Sequence, residues 1–304
     1  MKKEHPGVPG GGALRAKEAM EWIMKTVFLV CGFIAIAFVL LITVYLIISG
    51  LPAIREVGLT DFLFGTRWAS TDKTDPAYGI LPFILTSIYG TAGAILIGVP
   101  IGFLTAVFLS KVAPPKVAAV IRPAVDLLAG IPSVVYGLVG MIVLVPAIQR
   151  TFDLSSGACL LAAILVLAVM ILPSIINVSE TALRAVPHEY EEVSLALGAT
   201  EMETSFRVVL PAARSGVATA VVLGVGRAIG EAMAIIMVAG NVSNMPGLFT
   251  PVRFLTTGIV SGMAYAAVGS LYQQALYSIA LVLFLFIMLI NVVLNLFIKK
   301  RKED

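Results

Sequence analysis

Six long apolar runs, at about 27–49, 82–110, 124–148, 157–178, 215–240 and 272–298, alternate with polar connections along the chain. A spanning helix takes about 20 apolar residues, and each run reaches that length. The pattern predicts an all-α, polytopic membrane protein with six transmembrane helices. One connection stands apart. Residues 179–215, SETALRAVPHEYEEVSLALGATEMETSFRVVLPAARS, form a long polar interruption.

This interruption is patterned as structure. Its charges (Glu180, Arg184, His188, Glu189, Glu191, Glu192, Glu201, Glu203, Arg207 and Arg214) place it in water. Pro187 suits a helix start, where its missing N–H leaves nothing unpaired, and the glutamates that follow suit the positive helix end. Gly198 fits a left-handed stop. Thr200 and Glu203 have the spacing of a capping box, Met202, Phe206, Val209 and Leu210 recur at helical spacing, and Pro211 marks a further bend. The expectation is two short helices hinged at a glycine, with an exposed apolar face built for docking.

Composition agrees: 59% hydrophobic and 13% charged residues exclude an ordinary soluble domain. Charge then orients the spans. With the N-terminus inside, fifteen of the 21 Lys and Arg residues fall in cytoplasmic segments, five (Arg55, Arg67, Lys73, Arg150, Arg253) fall in outer loops, and Arg227 lies within a span. The positive-inside rule puts the 179–215 loop and both termini in the cytoplasm. Cys31 and Cys159 both lie in predicted spans, so no disulfide framework is indicated. No cleavable signal is expected, because the first apolar run is long enough to remain as an anchor.

The organisation expected is a tail and interfacial segment over 1–24, a permease domain over 25–298 and a basic C-terminus over 299–304. Residues 1–12 read as disordered. Segment 13–25 either lies along the membrane surface or forms a juxtamembrane helix. The outer loop 50–81 either receives a partner or is merely solvated. Gly90, Gly93, Gly98 and Gly102 in the second span read as helix packing. The third span is interrupted at Gly130 and Pro132. Pro132 suits the start of a half-helix with an anion-attracting N-terminus, and a kinked packing helix is the alternative.

The fifth span carries GVGRAIGEAMA. Arg227 and Glu231 are one turn apart on one helical face and can pair. Charges in a bilayer default to a functional role, against the alternative of an inward-facing structural pair. For an oxyanion, Arg227 offers a planar fork of donors. Glu231 either holds that fork or accepts from a protonated phosphate oxygen, which sulfate lacks at neutral pH. Gly226 and Gly230 leave room beside the pair for a helix or substrate. The chain lacks a G-x-x-x-x-G-K-[ST] phosphate loop, an H-E-x-x-H motif and a Cys/His cluster, so no ATP hydrolysis through that loop and no metal chemistry are expected. Neither His5 nor His188 reads as a catalytic base.

The polar loop resembles the E-A-A-x3-G-x9-I-x-L-P loop of ABC-importer permeases. Glu192, Gly198, Val208, Leu210 and Pro211 fall at its spacing, while Val193 and Ser194 replace the two alanines and Val208 the isoleucine. AGIPSVVYGLVG (129–140), YGILP (78–82) and GRAIGEAMA (226–234) are similar to PstC-type phosphate-importer permeases, over nearly the whole chain from residue 25. The resemblance implies a type I, MetI-like permease fold in a bacterial or archaeal cytoplasmic membrane. It implies a second related permease, two cytoplasmic ATPase subunits and an extracytoplasmic phosphate-binding protein as partners, with no nucleic acid. ATP and Mg²⁺ belong to the ATPase, and this chain carries no cofactor and no catalytic residue. Glu192, Gly198, Leu210 and Pro211 would belong to ATPase coupling, and Arg227 and Glu231, with Ser133 and Tyr136, to the substrate path. A permease for sulfate or molybdate and an ion-coupled secondary transporter are the competing readings.

Overall fold

The computed structural model describes residues 11–303 apart from 71 and 73. Most of the segment expected to be disordered, and the last residue of the basic C-terminus, lie outside these.

Residues up to Ser49 form a unit of their own. Helix α1, Gly11–Val57, runs through it without interruption, so segment 13–25 is continuous with the first span. Its large apolar side chains, among them Phe28, Phe33, Phe38 and Leu41, are exposed all round the helix, which is the pattern of a helix solvated by lipid.

The second unit begins at Gly50. It opens with the last turns of α1, a short helix α2 (Leu59–Phe64) and a two-residue hairpin, in which β1 (Trp68–Ala69) pairs antiparallel with β2 (Ala77–Tyr78) in the register Trp68↔Tyr78. The outer loop is therefore a folded cap: Trp68 meets the rings of Tyr78, Phe83 and Tyr272. Next come α3 (Leu81–Val107), α4 (Pro115–Gly130), α5 (Ser133–Val139), α6 (Val145–Thr151) and α7 (Leu160–Arg184). After them follow α8 (His188–Ala196), α9 (Glu201–Thr204), α10 (Leu210–Gly230), α11 (Met233–Val238), α12 (Leu255–Met263) and α13 (Leu271–Glu303).

α7 is the axis of this unit. It packs along α3 and α10 and is buried over most of its length. The glycines of α3 make the close approach possible. A Cβ on Gly98 would fall 2.7 Å from Cδ1 of Ile171, and one on Gly102 would fall 2.9 Å from Cγ2 of Ile175, so the small residues are packing surface, as expected.

Six helical stretches among the described residues are long and apolar enough to cross a membrane: Met20–Val57, Leu81–Val112, Ser133–Thr151, Leu160–Arg184, Glu201–Gly230 and Leu271–Leu294. Two differ from expectation. The third starts at Ser133 rather than near 124, because the chain is extended at Ile131 and Pro132 and α4 is a separate helix. The fifth ends at Gly230 rather than 240, and it starts at Glu201, the helix running unbroken through Pro211.

Three π turns, 108–112, 140–144 and 205–209, are each followed two residues later by a proline: Pro114, Pro146 and Pro211. A proline inside a helix lacks the N–H that the carbonyl four residues back requires. Lengthening the turn re-pairs the backbone around that gap. Before Pro211, Leu210 N–H reaches Ser205 O, five residues back, and the helix continues into α10.

Candidate functional site

The polar loop is narrower than its composition suggests. Residues up to Arg184 complete α7, and residues from Glu201 belong to the rod that becomes α10. Between them α8 starts after Pro187 and stops at Gly198, whose φ of +89° is left-handed. Gly198 N–H returns to Leu195 O at 2.9 Å and Ala199 N–H to Ser194 O at 3.2 Å, satisfying carbonyls left open at the helix end. Thr200 and Glu203 form the expected capping box, with Thr200 Oγ1 accepting from Glu203 N–H at 3.2 Å. The buried hydroxyls of Ser194 and Thr204 meet at 2.8 Å and lock α8 to α9.

The outward face of this unit carries Tyr190, Val193, Leu197, Met202 and Phe206, all exposed, with Leu197 84% exposed. Glu192 and Gly198 are exposed on it. Leu210, half-buried, packs with Leu183, Val209 and Ala213, while Pro211 is exposed on the first turn of α10.

Two glutamates read as solvated face inward. Glu180 is 8% exposed, accepts from Nε of Arg122 at 2.7 Å and forms an ion pair with Arg184 at 3.0 Å. Glu191 pairs with Lys111 of the first π turn. Arg122 also donates from Nη2 to Leu109 O at 2.9 Å. That carbonyl is available because Ala113 N–H is committed to Phe108 O and Pro114 has no N–H. Only the Glu180–Arg184 spacing of four was a signal for any of this in the sequence.

Deeper in the spans, two helix breaks lie against one another. α4 ends at Gly130 and α5 begins at Ser133, and the Tyr136 hydroxyl reaches back across the break to donate to Leu128 O at 2.7 Å. Ser133 is half-buried at the head of α5 and makes no side-chain hydrogen bond among the described residues. α10 ends at Gly230, Glu231 is extended (φ −73°, ψ 132°), and α11 begins at Met233. α5 and α11 touch so closely that a Cβ on Gly137 would fall 2.8 Å from Cα of Ala234. The half-helix expected after Pro132 is thus present, and it faces a second one that periodicity did not predict.

This second break separates Arg227 from Glu231. Helical spacing would pair them, but the helix ends one residue before Glu231. Arg227 Nη1 donates to Ser174 Oγ of α7 at 3.1 Å, and Glu231 Oε1 accepts from Ala234 N–H at 3.0 Å, capping α11. Among the described residues Arg227 forms no ion pair. Tyr136 lies within electrostatic reach of its charge, and Gly226, Gly230 and Gly130 border open space. The Glu231 carbonyl accepts from Thr256 Oγ1 at 2.7 Å. Ser174 and Thr256 left no sequence signal. Arg253, counted with the outer loops, folds inward: its guanidinium holds the Asn241 carbonyl at 2.7 and 3.1 Å and lies over the Phe83 ring.

Discontinuous helices in contact, an arginine without an ion pair among the described residues and an exposed apolar loop fit the pattern of a transporter. Residues 98–302 match the family model described as the binding-protein-dependent transport system inner membrane component. The chain belongs to this family. It is a permease of an ABC importer. The permease is 42% identical over 268 residues to the probable ABC transporter permease protein YqgH of Bacillus subtilis, covering 86% of each chain. It is 35% identical over 297 residues to the phosphate transport system permease protein PstC of Haemophilus influenzae, covering 89% of this chain and 91% of that one. Its fold matches a crystal structure of a bacterial alginate ABC transporter in complex with an alginate pentasaccharide-bound periplasmic protein, with a TM-score of 0.60 at 17% identity over 93% of this chain and 94% of that one.

Proposed function

We propose that this permease carries inorganic phosphate inward across the cytoplasmic membrane of a bacterium or archaeon, driven by ATP hydrolysed with Mg²⁺ on partner ATPase subunits. The observation that carries the reading is Arg227, a guanidinium in the last turn of the fifth span that donates to the neutral Ser174 and forms no ion pair among the described residues. A charge in a span is costly, about 2.5–3.5 kcal/mol at the bilayer centre on the insertion scale. A residue kept there without a carboxylate partner leaves its planar fork for an oxyanion. Kinship with proteins named as phosphate permeases supports phosphate as that anion. Glu231 Oε2 stays outside the α11 cap and can accept from a protonated phosphate oxygen, which sulfate does not offer at neutral pH.

The polar loop supplies the drive. Its exposed apolar face is the docking surface for the ATPase. Glu192 lies on that face, Gly198 sets its turn, and Leu210 with Pro211 joins it to the fifth span. The Lys and Arg distribution puts this loop and both termini in the cytoplasm. A second permease and an extracytoplasmic phosphate-binding protein complete the assembly.

Reconstitution with these partners tests the reading. Phosphate uptake should require ATP, persist without an ion gradient and resist excess sulfate or molybdate. Uptake by the chain alone under an ion gradient would overturn it, and displacement of phosphate by sulfate would reassign the substrate.

A further inference from the structure

The docking helices must pass their movement to the spans, and the packing leaves few routes. α8 packs on α9 and on the π turn 205–209, which run continuously into α10. Its covalent connection back to α7 runs through Ala185, Val186 and Pro187. Across the remaining gap, Glu191 of α8 meets Lys111 at the end of α3, 80 residues away in sequence. Their side chains are 19% and 15% exposed, unlike the solvated charges on the outward face of the same helix.

Lys111 sits in the π turn 108–112, a segment with looser backbone pairing than the helix it ends. The same turn is held from its other side by Arg122 of α4, which takes Leu109 O and is itself fixed by Glu180 of α7. One short segment of α3 is thus tied by charge to the docking loop and to two further helices.

We propose that the Lys111–Glu191 ion pair is the joint that transmits movement of the docking helices to α3, with Arg122 and Glu180 bracing the turn it pulls on. The proposal rests on the reading that an ATPase drives this loop. Glu191 and Lys111 are positioning residues here, distinct from Glu192, which is exposed. Breaking a largely desolvated pair leaves a buried charge uncompensated, so its removal acts more strongly than loss of a surface pair.

The test is charge exchange in the complete transporter, reconstituted with its ATPase, second permease and binding protein. For Lys111→Glu, Glu191→Lys and the double exchange, three quantities are read: ATPase retained on purification, ATP hydrolysed and phosphate moved. Each single reversal should keep the ATPase and hydrolyse ATP while phosphate moved per ATP falls by roughly tenfold or more. The double exchange should recover to within about threefold of the parent. Lys111→Arg, which keeps the charge, should retain the ratio, and Glu191→Gln provides a milder loss if a reversal fails to fold. Unchanged ratios in the single variants would overturn the proposal. So would a double exchange that assembles without recovering, or single variants that shed the ATPase and regain it on exchange, since the pair would then only shape the docking surface. A parent complex that retains no ATPase would instead sink the ATP-driven reading.

Discussion

Thr256 fastens the joint at Glu231: its hydroxyl, carried on the separate short helix α12, donates to the Glu231 carbonyl at 2.7 Å. The extended residue between α10 and α11 would otherwise present an unpaired carbonyl inside the protein. α12 is itself anchored, since Leu255 N–H donates to Ser87 Oγ of α3 at 3.0 Å. The break in the fifth span is a built feature, held from a third element. Thr256→Val keeps the shape and removes the donor, and it should destabilise the permease by about 1–3 kcal/mol, the cost of one unsatisfied buried acceptor. Thermal unfolding of the detergent-solubilised complex would register this as a lower midpoint, and Thr256→Ser should restore most of it.

Gly198 supplies the second prediction. Its φ of +89° is strained for a β-branched residue, and a Cβ there meets nothing within 4 Å. The penalty is therefore conformational and not steric. Gly198→Val should cost about 1–3 kcal/mol locally, re-aim α8 against α9 and uncouple ATP hydrolysis from uptake. Gly198→Asn, which tolerates the left-handed region, should stay near the parent. The decisive measurement is phosphate moved per ATP, because a loop without a coupling role would leave that ratio unchanged in the valine variant.

The packing of α3 on α7 gives a third. Gly98→Leu would drive a side chain into Ile171, whose Cδ1 lies 2.7 Å from the position of a Cβ. Ile171 is fully buried and has little freedom to move. Overpacking of this kind costs about 1–3 kcal/mol and sometimes more, so membrane-inserted protein should fall in yield and unfold at lower temperature. The paired change Gly98→Ala with Ile171→Val, which trades volume across the contact, should recover part of the loss.

What was legible in the sequence followed from strong local chemistry. Runs of apolar residues located all six spans to within a turn or two at most ends, and Pro187, Gly198, Thr200 and Glu203 located the docking helices because each acts on its own neighbours. The misses were non-local. Spacing set Arg227 and Glu231 on one face, but the helix ends at Gly230, where Thr256 from a distant helix satisfies the Glu231 carbonyl and the Glu231 carboxylate satisfies Ala234 N–H. Pro211 read as a bend, yet a π turn absorbs it. Glu180 and Glu191 read as solvated because Arg122 and Lys111, which bury them, are 58 and 80 residues away. The hairpin at Trp68 was hidden because two residues per strand carry no periodicity.

The last prediction concerns Arg227, the residue proposed to grip the substrate. Arg227→Gln removes the charge and the fork while keeping a polar side chain. Because Arg227 forms no ion pair among the described residues, its loss strands no carboxylate, and the complex should assemble and unfold as the parent does. Phosphate uptake should fall to background. Arg227→Lys separates charge from geometry: an ammonium attracts the anion but cannot grip two oxygens in a plane, so uptake should be measurable with a raised half-saturating phosphate concentration. Glu231→Gln completes the set. Its amide oxygen can still cap Ala234 N–H, so the joint should hold, but a neutral amide is a weaker acceptor for a protonated phosphate and should narrow the preference for phosphate over sulfate. Competition uptake reads that preference directly. If Arg227→Gln instead disperses the complex, the arginine is structural and the oxyanion must be held elsewhere.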